Sequence, residues 1–402
     1  MSTDGESAEG AESTENAENA AQTDDVVSSG ASLTGWGLEG LDGPVSARTR
    51  AMDAGRLSHA YLLHGPPGVG KATLARRLAQ ALVVDRLPDG SLDLDSRLAR
   101  AIDSDELPDV ERIAIGGICD DDSSAERAAT ATRIRICQIR RLQRLAFLAP
   151  FQAPRRIFII DAVDDLQPEA AHALLKVLEE PPPLVLLLLI SHDVDAVLPT
   201  IRSRCTELAL LPMPVAELAE ALVRRTALRA ASGAEPGAEP VAELDADAAL
   251  ALARESRGRF GRAMEMIEDP SMRMLQEAVA ADVRRLASAG RNDRLDYAQT
   301  LSGNWRRERA SVITTMDLWA DWWRDALLAA AGVSEDVARS SDRLDVSAAD
   351  AVLALQVIRR TREHLLANVN PQLALEVMML GLPVAAGGLE ESEAVSVAAP
   401  TS

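Results

Sequence analysis

Aromatic residues make up 3% of this 402-residue sequence, cysteines number three, and only two of its 42 basic residues are lysines, Lys71 and Lys176. Each scarcity excludes something. Cys119, Cys137 and Cys205 are too few and too scattered for a disulfide framework or a four-thiolate zinc site. The longest apolar run, Leu184 to Ile190, is far too short to span a bilayer. Neither a basic segment nor an apolar stretch opens the chain, so no secretory signal is expected. The expectation is a cytoplasmic protein with no membrane partner and no bound metal. Positive charge is scarce too, with a formal net charge of −20. Residues 1–30 hold eight acids and no base and residues 383–402 three acids and no base, which leaves 51 acids against 42 bases between them. That balance disfavours a tight non-specific grip on DNA, which needs many phosphate-neutralising side chains, but it leaves room for a localised basic strip.

What is present is ordinary for a soluble globular chain: 47% hydrophobic and 26% charged residues. At about 150 residues per domain the length predicts two to three domains. Residues 1–33, rich in Ser, Glu, Ala, Asn and Thr, read as a disordered acidic tail, and residues 383–402 look similar. The AEPGAEP near-repeat between Ala230 and Pro240 marks a loop or insertion. Between the tails the pattern starts as alternating strand and helix. Ala60–His64 is a short apolar strand, followed by a glycine-rich turn and a helix from Lys71 to about Val84. Apolar residues at Ile136, Ile139, Leu142 and Leu145 give helical spacing over Ile134–Leu148. Ile157–Ile160 and Leu184–Ile190 are unbroken apolar runs, as in parallel strands covered on both faces. After about Leu211 only helical patterns follow, through Val215–Leu228, Asp245–Glu255 and most of Met272–Leu382, and Asn370-Pro371 is a good helix start. The fold class is therefore α/β with a parallel sheet over residues 34–210, then a small helical domain over 211–270 and a larger all-helical domain over 271–382.

Gly65-Pro-Pro-Gly68-Val-Gly70-Lys71 follows a strand and opens a helix, the context a P-loop requires. Its backbone N–H groups form an anion nest, the helix dipole adds positive potential, and Lys71 is placed to reach β and γ phosphates. A strand-to-helix turn with no ligand is the plainer alternative. The motif wants Ser or Thr next, to hold Mg²⁺, and Ala72 stands there; Thr73 lies about 100° further round the helix. Asp161, ending the second strand, matches the acid that places Mg²⁺ in P-loop enzymes, although a cap or ion-pair role fits it as well. The position after it, usually Glu to orient water, is Ala162, with Asp164 two residues on. Arg204, in Thr200-Ile-Arg202-Ser203-Arg204-Cys205, taken alone reads as a helix cap or an ion-pair partner.

Taken in order, these residues resemble the delta-prime family of bacterial DNA polymerase III clamp-loader subunits, within the AAA+ superfamily. The resemblance is carried by Ser58-His59-Ala60-Tyr61-Leu62 before the P-loop, Ile136–Leu142, the Leu174-Leu175-Lys176-Val-Leu-Glu179-Glu180-Pro181-Pro182 segment, Ser203-Arg204-Cys205, and, more loosely, Asn370–Glu376. It covers about Leu57 to Leu382.

The resemblance implies a AAA+ P-loop domain, a helical lid domain and a helical collar domain that holds subunits in a ring. It implies a hetero-pentamer with gamma/tau motor subunits and a delta subunit, indirect contact with the sliding clamp and weak contact with primer-template DNA. Arg204 becomes an arginine finger completing a neighbour's ATP site. Ser191 falls at the sensor-1 position and Arg262 at sensor 2; a strand-end hydroxyl and a surface arginine are the plainer readings. ATP or ADP binding stays open, at a site whose Ala72 and Ala162 argue against hydrolysis. Related subunits carry four zinc-binding cysteines between the P-loop and the second strand; Cys119 and Cys137 alone predict no zinc here. His192 lacks metal-spaced partners. The competing implication is a self-sufficient motor subunit of the gamma/tau type, with Thr73 and Asp164 compensating. Arg133, Arg140 and Arg144 are expected on one helical face, facing DNA or solvent, and Trp319, Trp322 and Trp323 in helical packing or at a subunit interface.

Overall fold

The computed structural model describes residues 35–119, 131–232, 244–305, 307–332, 346–367 and 369–384. The expected acidic tail, the AEPGAEP segment and most of the C-terminal tail lie outside the described residues.

Among the described residues, five strands form one parallel sheet. They are β1 (Ala60–His64), β2 (Val110–Ile113), β3 (Arg156–Ile160), β4 (Val185–Ser191) and β5 (Thr206–Ala209), in the order β2-β3-β4-β1-β5. Successive side chains of a strand point to opposite faces, so each strand feeds two cores. Tyr61, Leu63, Ile157, Ile159, Leu186 and Leu188 pack on one face with α2 (Lys71–Val83) and α3 (Arg97–Asp103). Leu62, Phe158, Ile160, Leu187 and Leu189 pack on the other with α4 (Ile136–Ala146) and α5 (Pro168–Glu179). Burial on both faces is why β1, β3 and β4 are unbroken apolar runs. The two edge strands escape that rule: β2 is Val-Glu-Arg-Ile, and β5 carries Glu207.

Three local expectations change. The helix expected over Ile134–Leu148 begins at Ile136, because the Ile134 N–H donates to the Asp165 carbonyl and its own carbonyl accepts from Gln167. Arg133 therefore precedes the helix, and only Arg140 and Arg144 share an exposed face of α4. The third apolar run starts at Val185, with Leu184 at φ 65°. Cys119 and Cys137, 18 residues apart, form a lone disulfide rather than a framework.

Beyond the sheet come a short α6 (Pro199–Arg202), then α7 (Val215–Ser232), α8 (Ala246–Glu255) and α9 (Phe260–Glu268), which share a core of Leu218, Leu222, Ala249, Ala253 and Ala263. A separate core unites α10 (Pro270–Ala287), α11 (Arg291–Trp305), α12 (Arg309–Ala330), α13 (Ala348–Leu366) and α14 (Pro371–Gly381). Asn370 caps α14 as its sequence suggests, its Oδ1 accepting from Gln372 N at 3.0 Å and Leu373 N at 3.3 Å. Trp319 and Trp323 are buried in this bundle, and Trp322 stands edge-on to Trp323 with centroids 5.2 Å apart, so the packing reading holds for all three.

Arg294 is buried inside the bundle, where its guanidinium donates to Leu286 O (2.9 Å), Met379 O (3.1 Å), Leu382 O (2.7 Å) and Pro383 O (3.0 Å). These carbonyls close α10 and α14, whose final turns lack intrahelical donors. Arg294→Ala strands them in an apolar interior and is expected to destabilise the bundle by about 2–4 kcal/mol, read as a lowered denaturation midpoint of the C-terminal helices.

Candidate functional site

Parallel strands bring their C-terminal ends to one edge of the sheet. The loop after β1, Asp161 after β3 and Ser191 at the end of β4 all meet there. In that loop Gly65 has φ +146°, and a Cβ on it would fall 2.2 Å from the Leu210 carbonyl oxygen; Gly68 has φ +80° and abuts Arg262. Gly70 ends the loop in a left-handed conformation as the N-cap of α2. Only glycine combines those angles with that closeness. Lys71, 3% exposed, turns back into the loop, where its Nζ donates to Gly65 O at 2.6 Å and Pro66 O at 2.7 Å. Burial lowers its pKa to about 8; Asp164 and Asp161 act in the opposite direction and Arg259 reinforces the shift.

The loop's glycines and lysine fit a phosphate group. The neighbouring residues do not fit Mg²⁺. Ala72 offers only a methyl, and Ala72 and Thr73 are both exposed. Asp161 is engaged by Arg112 of β2, Nη2 to Oδ2 2.7 Å, so an arginine already neutralises the acid that a metal would need. Ala162 sits at φ 64° and opens a short turn, Val163–Asp165. Asp164 accepts from the His192 N–H at 3.4 Å, and burial, with the Lys71 ammonium nearby, lowers the His192 pKa. Among the described residues no group of three or more His, Cys, Asp or Glu is arranged to hold a metal.

Ser191 is fully buried and its Oγ has no hydrogen-bond partner, so it does not satisfy the strand end. Arg262 is not an ordinary surface arginine. The N–H groups of Gly261 and Arg262 donate to Gly68 O at 2.8 and 3.3 Å, stitching the start of α9 to the loop, and the Arg262 guanidinium bonds Gln276 at 3.1 Å. Arg259 and Arg257, just before it, form ion pairs with Asp321 of α12 at 2.8 and 3.1 Å. Sequence reasoning missed Arg112, Arg257 and Arg259, because an ion pair between distant segments leaves no spacing signal.

Arg204 is not part of this constellation. It stands two residues before β5, whose Thr206 is in register with Tyr61 near the start of β1, so it belongs to the N-terminal edge of the sheet. Beside it are Ser58, His59, Glu179, Ser203 and Thr206, around an open cavity of about 520 Å³. The length of β1, roughly 13 Å at 3.3 Å per residue, separates this cavity from the P-loop. Arg204 Nη2 pairs with Glu179 Oε1 at 2.8 Å, and Nη1 donates to Thr200 O at 2.9 Å and Ser203 Oγ at 3.2 Å. Both plain sequence readings of Arg204, a cap on a helix carbonyl and an acid pair, are realised in this chain taken alone.

Residues 44–214 match the family model described as "DNA polymerase III, delta subunit", a stretch that carries the loop, Asp161, Ser191 and Arg204. Over this stretch the chain is similar to DNA polymerase III clamp-loader subunits. The delta' subunit of Pseudomonas aeruginosa is 33% identical over 171 residues, 39% of this chain and 44% of that protein. The gamma/tau subunit of Mycobacterium tuberculosis is 32% identical over 173 residues, 42% of this chain and 26% of that one. The chain thus spans less than half the length of the curated relatives it matches. The solved RuvB Holliday junction branch migration motor of Thermotoga maritima aligns at a TM-score of 0.35 and 19% identity, over 58% of this chain and 61% of that one, a score too low to add to the strand order. Among the described residues no helix is long and apolar enough to cross a membrane.

An oxyanion entering this P-loop must take the Lys71 ammonium from two carbonyls, and can do so only while Lys71 is protonated. ADP affinity by calorimetry is expected to fall as pH rises through about 8, to be lost in Lys71→Ala and to be insensitive to Mg²⁺. Strong Mg²⁺ dependence contradicts the reading of Ala72 and Arg112.

Proposed function

We propose that this chain is a clamp-loader stator of the delta-prime type, which helps to load the sliding clamp onto primed DNA and lends Arg204 to the ATP site of a neighbouring gamma/tau motor subunit. The observation that carries this is the separation of the two edges. An arginine beside the start of β1 cannot reach a nucleotide held after the end of β1 in the same chain. It can reach a nucleotide presented by another subunit. A guanidinium so placed stabilises charge on the transferring phosphoryl, an effect worth on the order of 10³–10⁵ in rate where measured. In its own pocket the chain has lost the means to hydrolyse: Ala72 replaces the metal ligand, Ala162 the water-orienting acid, and Arg112 occupies Asp161. Gly65, Gly68, Gly70, Lys71, Ser191 and Arg262 are left as a phosphate cradle for ADP or ATP.

Residues 211–270 act as the lid in this reading, and 271–382 as the collar. Leu373, Val377 and Leu380 lie exposed on one face of α14, an apolar stripe suited to the helices of neighbouring subunits. Arg140 and Arg144 on α4 supply a weak contact with primer-template DNA. The second reading, a gamma/tau-type motor, draws on the gamma/tau relatives, which are as similar as the delta' one.

With the chain reconstituted among motor and delta subunits, Arg204→Ala is expected to lower ATP hydrolysis by the assembly at least about tenfold without disrupting it. The isolated chain is expected to hydrolyse no ATP with or without DNA, and normal turnover there favours the motor reading. Leu373→Asp with Val377→Asp is expected to leave a folded monomer that fails to enter the ring, read by size-exclusion chromatography.

A further inference from the structure

The guanidinium of Arg204 is already occupied. Glu179 Oε1 lies 2.8 Å from its Nη2, on the wall of the same cavity. A phosphate arriving there meets a carboxylate first. Glu179 is the last residue of the 12-residue helix α5, where the carbonyl ends of the helix dipole already disfavour negative charge. The side chains of Arg204 and Glu179 are 35% and 49% exposed, a setting in which an ion pair adds little to folding stability. The pair is thus easily broken and electrostatically opposed to the ligand proposed for Arg204.

We infer that Glu179 is a positioning residue that parks Arg204 until the terminal phosphate of a neighbouring subunit's nucleotide displaces it. The inference rests on the reading of Arg204 as a finger acting in trans. Carboxylate and phosphate compete for one N–H edge of the guanidinium. The remaining bonds, from Nη1 to Thr200 O and Ser203 Oγ, keep the arginine aimed into the cavity while Nη2 changes partners. Glu179 touches no substrate; it sets how often Arg204 is available.

Glu179→Gln keeps size and hydrogen-bonding capacity and removes the charge. In the reconstituted loader it is expected to raise kcat/KM for ATP hydrolysis about two- to five-fold at low ionic strength, the range that breaking an exposed ion pair yields. The gain over the parent is expected to close in about 1 M salt, where the screening length drops to about 3 Å. A substitution acting only on structure would not depend on salt in this way. In an Arg204→Ala background Glu179→Gln is expected to change nothing further. Three results overturn the inference: kcat/KM unchanged in Glu179→Gln, kcat/KM lowered, or a gain that survives the loss of Arg204. If Arg204→Ala alone leaves hydrolysis by the assembly unaffected, the trans reading itself falls, and that outcome is distinct from a silent Glu179→Gln.

Discussion

A parallel sheet has two chemically different edges, and the edge a residue is given decides which groups it can meet. Strands that all run one way collect their following loops on one side, so the glycine loop, Asp161 and Ser191 converge although about 95 and 120 residues of chain separate them from the loop. The segments that enter the strands collect on the other side. Ser58, His59 and Arg204 are brought there by the pairing of β1 with β5. The register that buries Tyr61 and Leu63 also keeps Arg204 away from Lys71.

The C-terminal edge is electrostatically closed on itself. Lys71 donates to two carbonyls of its own loop, Asp161 is answered by Arg112, and Asp164 accepts from the His192 backbone. Groups that in a hydrolysing P-loop site would face metal and water here face each other. The same edge is tied mechanically to the rest of the molecule. Gly68 receives two N–H groups from the start of α9, and Arg257 and Arg259 just before it reach Asp321 in the helix that also carries Trp319 and Trp323. The loop is thus joined to the C-terminal bundle by a short chain of hydrogen bonds and ion pairs.

The parts of the fold governed by burial could be read in the sequence. Strands β1, β3 and β4 announce themselves because both faces are covered, the P-loop because no other residue but glycine tolerates its geometry, and the α14 cap because Asn370-Pro371 has few other uses. What stayed hidden depends on partners far along the chain. The edge strands carry Glu111, Arg112 and Glu207, because one side of each faces no neighbour, and they break the apolar pattern. Arg133 was misplaced because the Ile134 backbone is drawn into contact with Asp165 and Gln167 instead of starting a helix. The Cys119–Cys137 disulfide, the Arg112–Asp161 pair and the Glu179–Arg204 pair are facts of proximity, and spacing does not encode them.

The central claim is that the Arg204 edge faces a nucleotide held by another subunit. It is tested most directly by photo-cross-linking an ATP analogue that carries its reactive group on the γ-phosphate. In the assembled loader the account predicts label in this chain on residues 58–59 and 203–206, absent when the chain is alone. Label confined to residues 65–73, or none at Arg204 in the assembly, would contradict it.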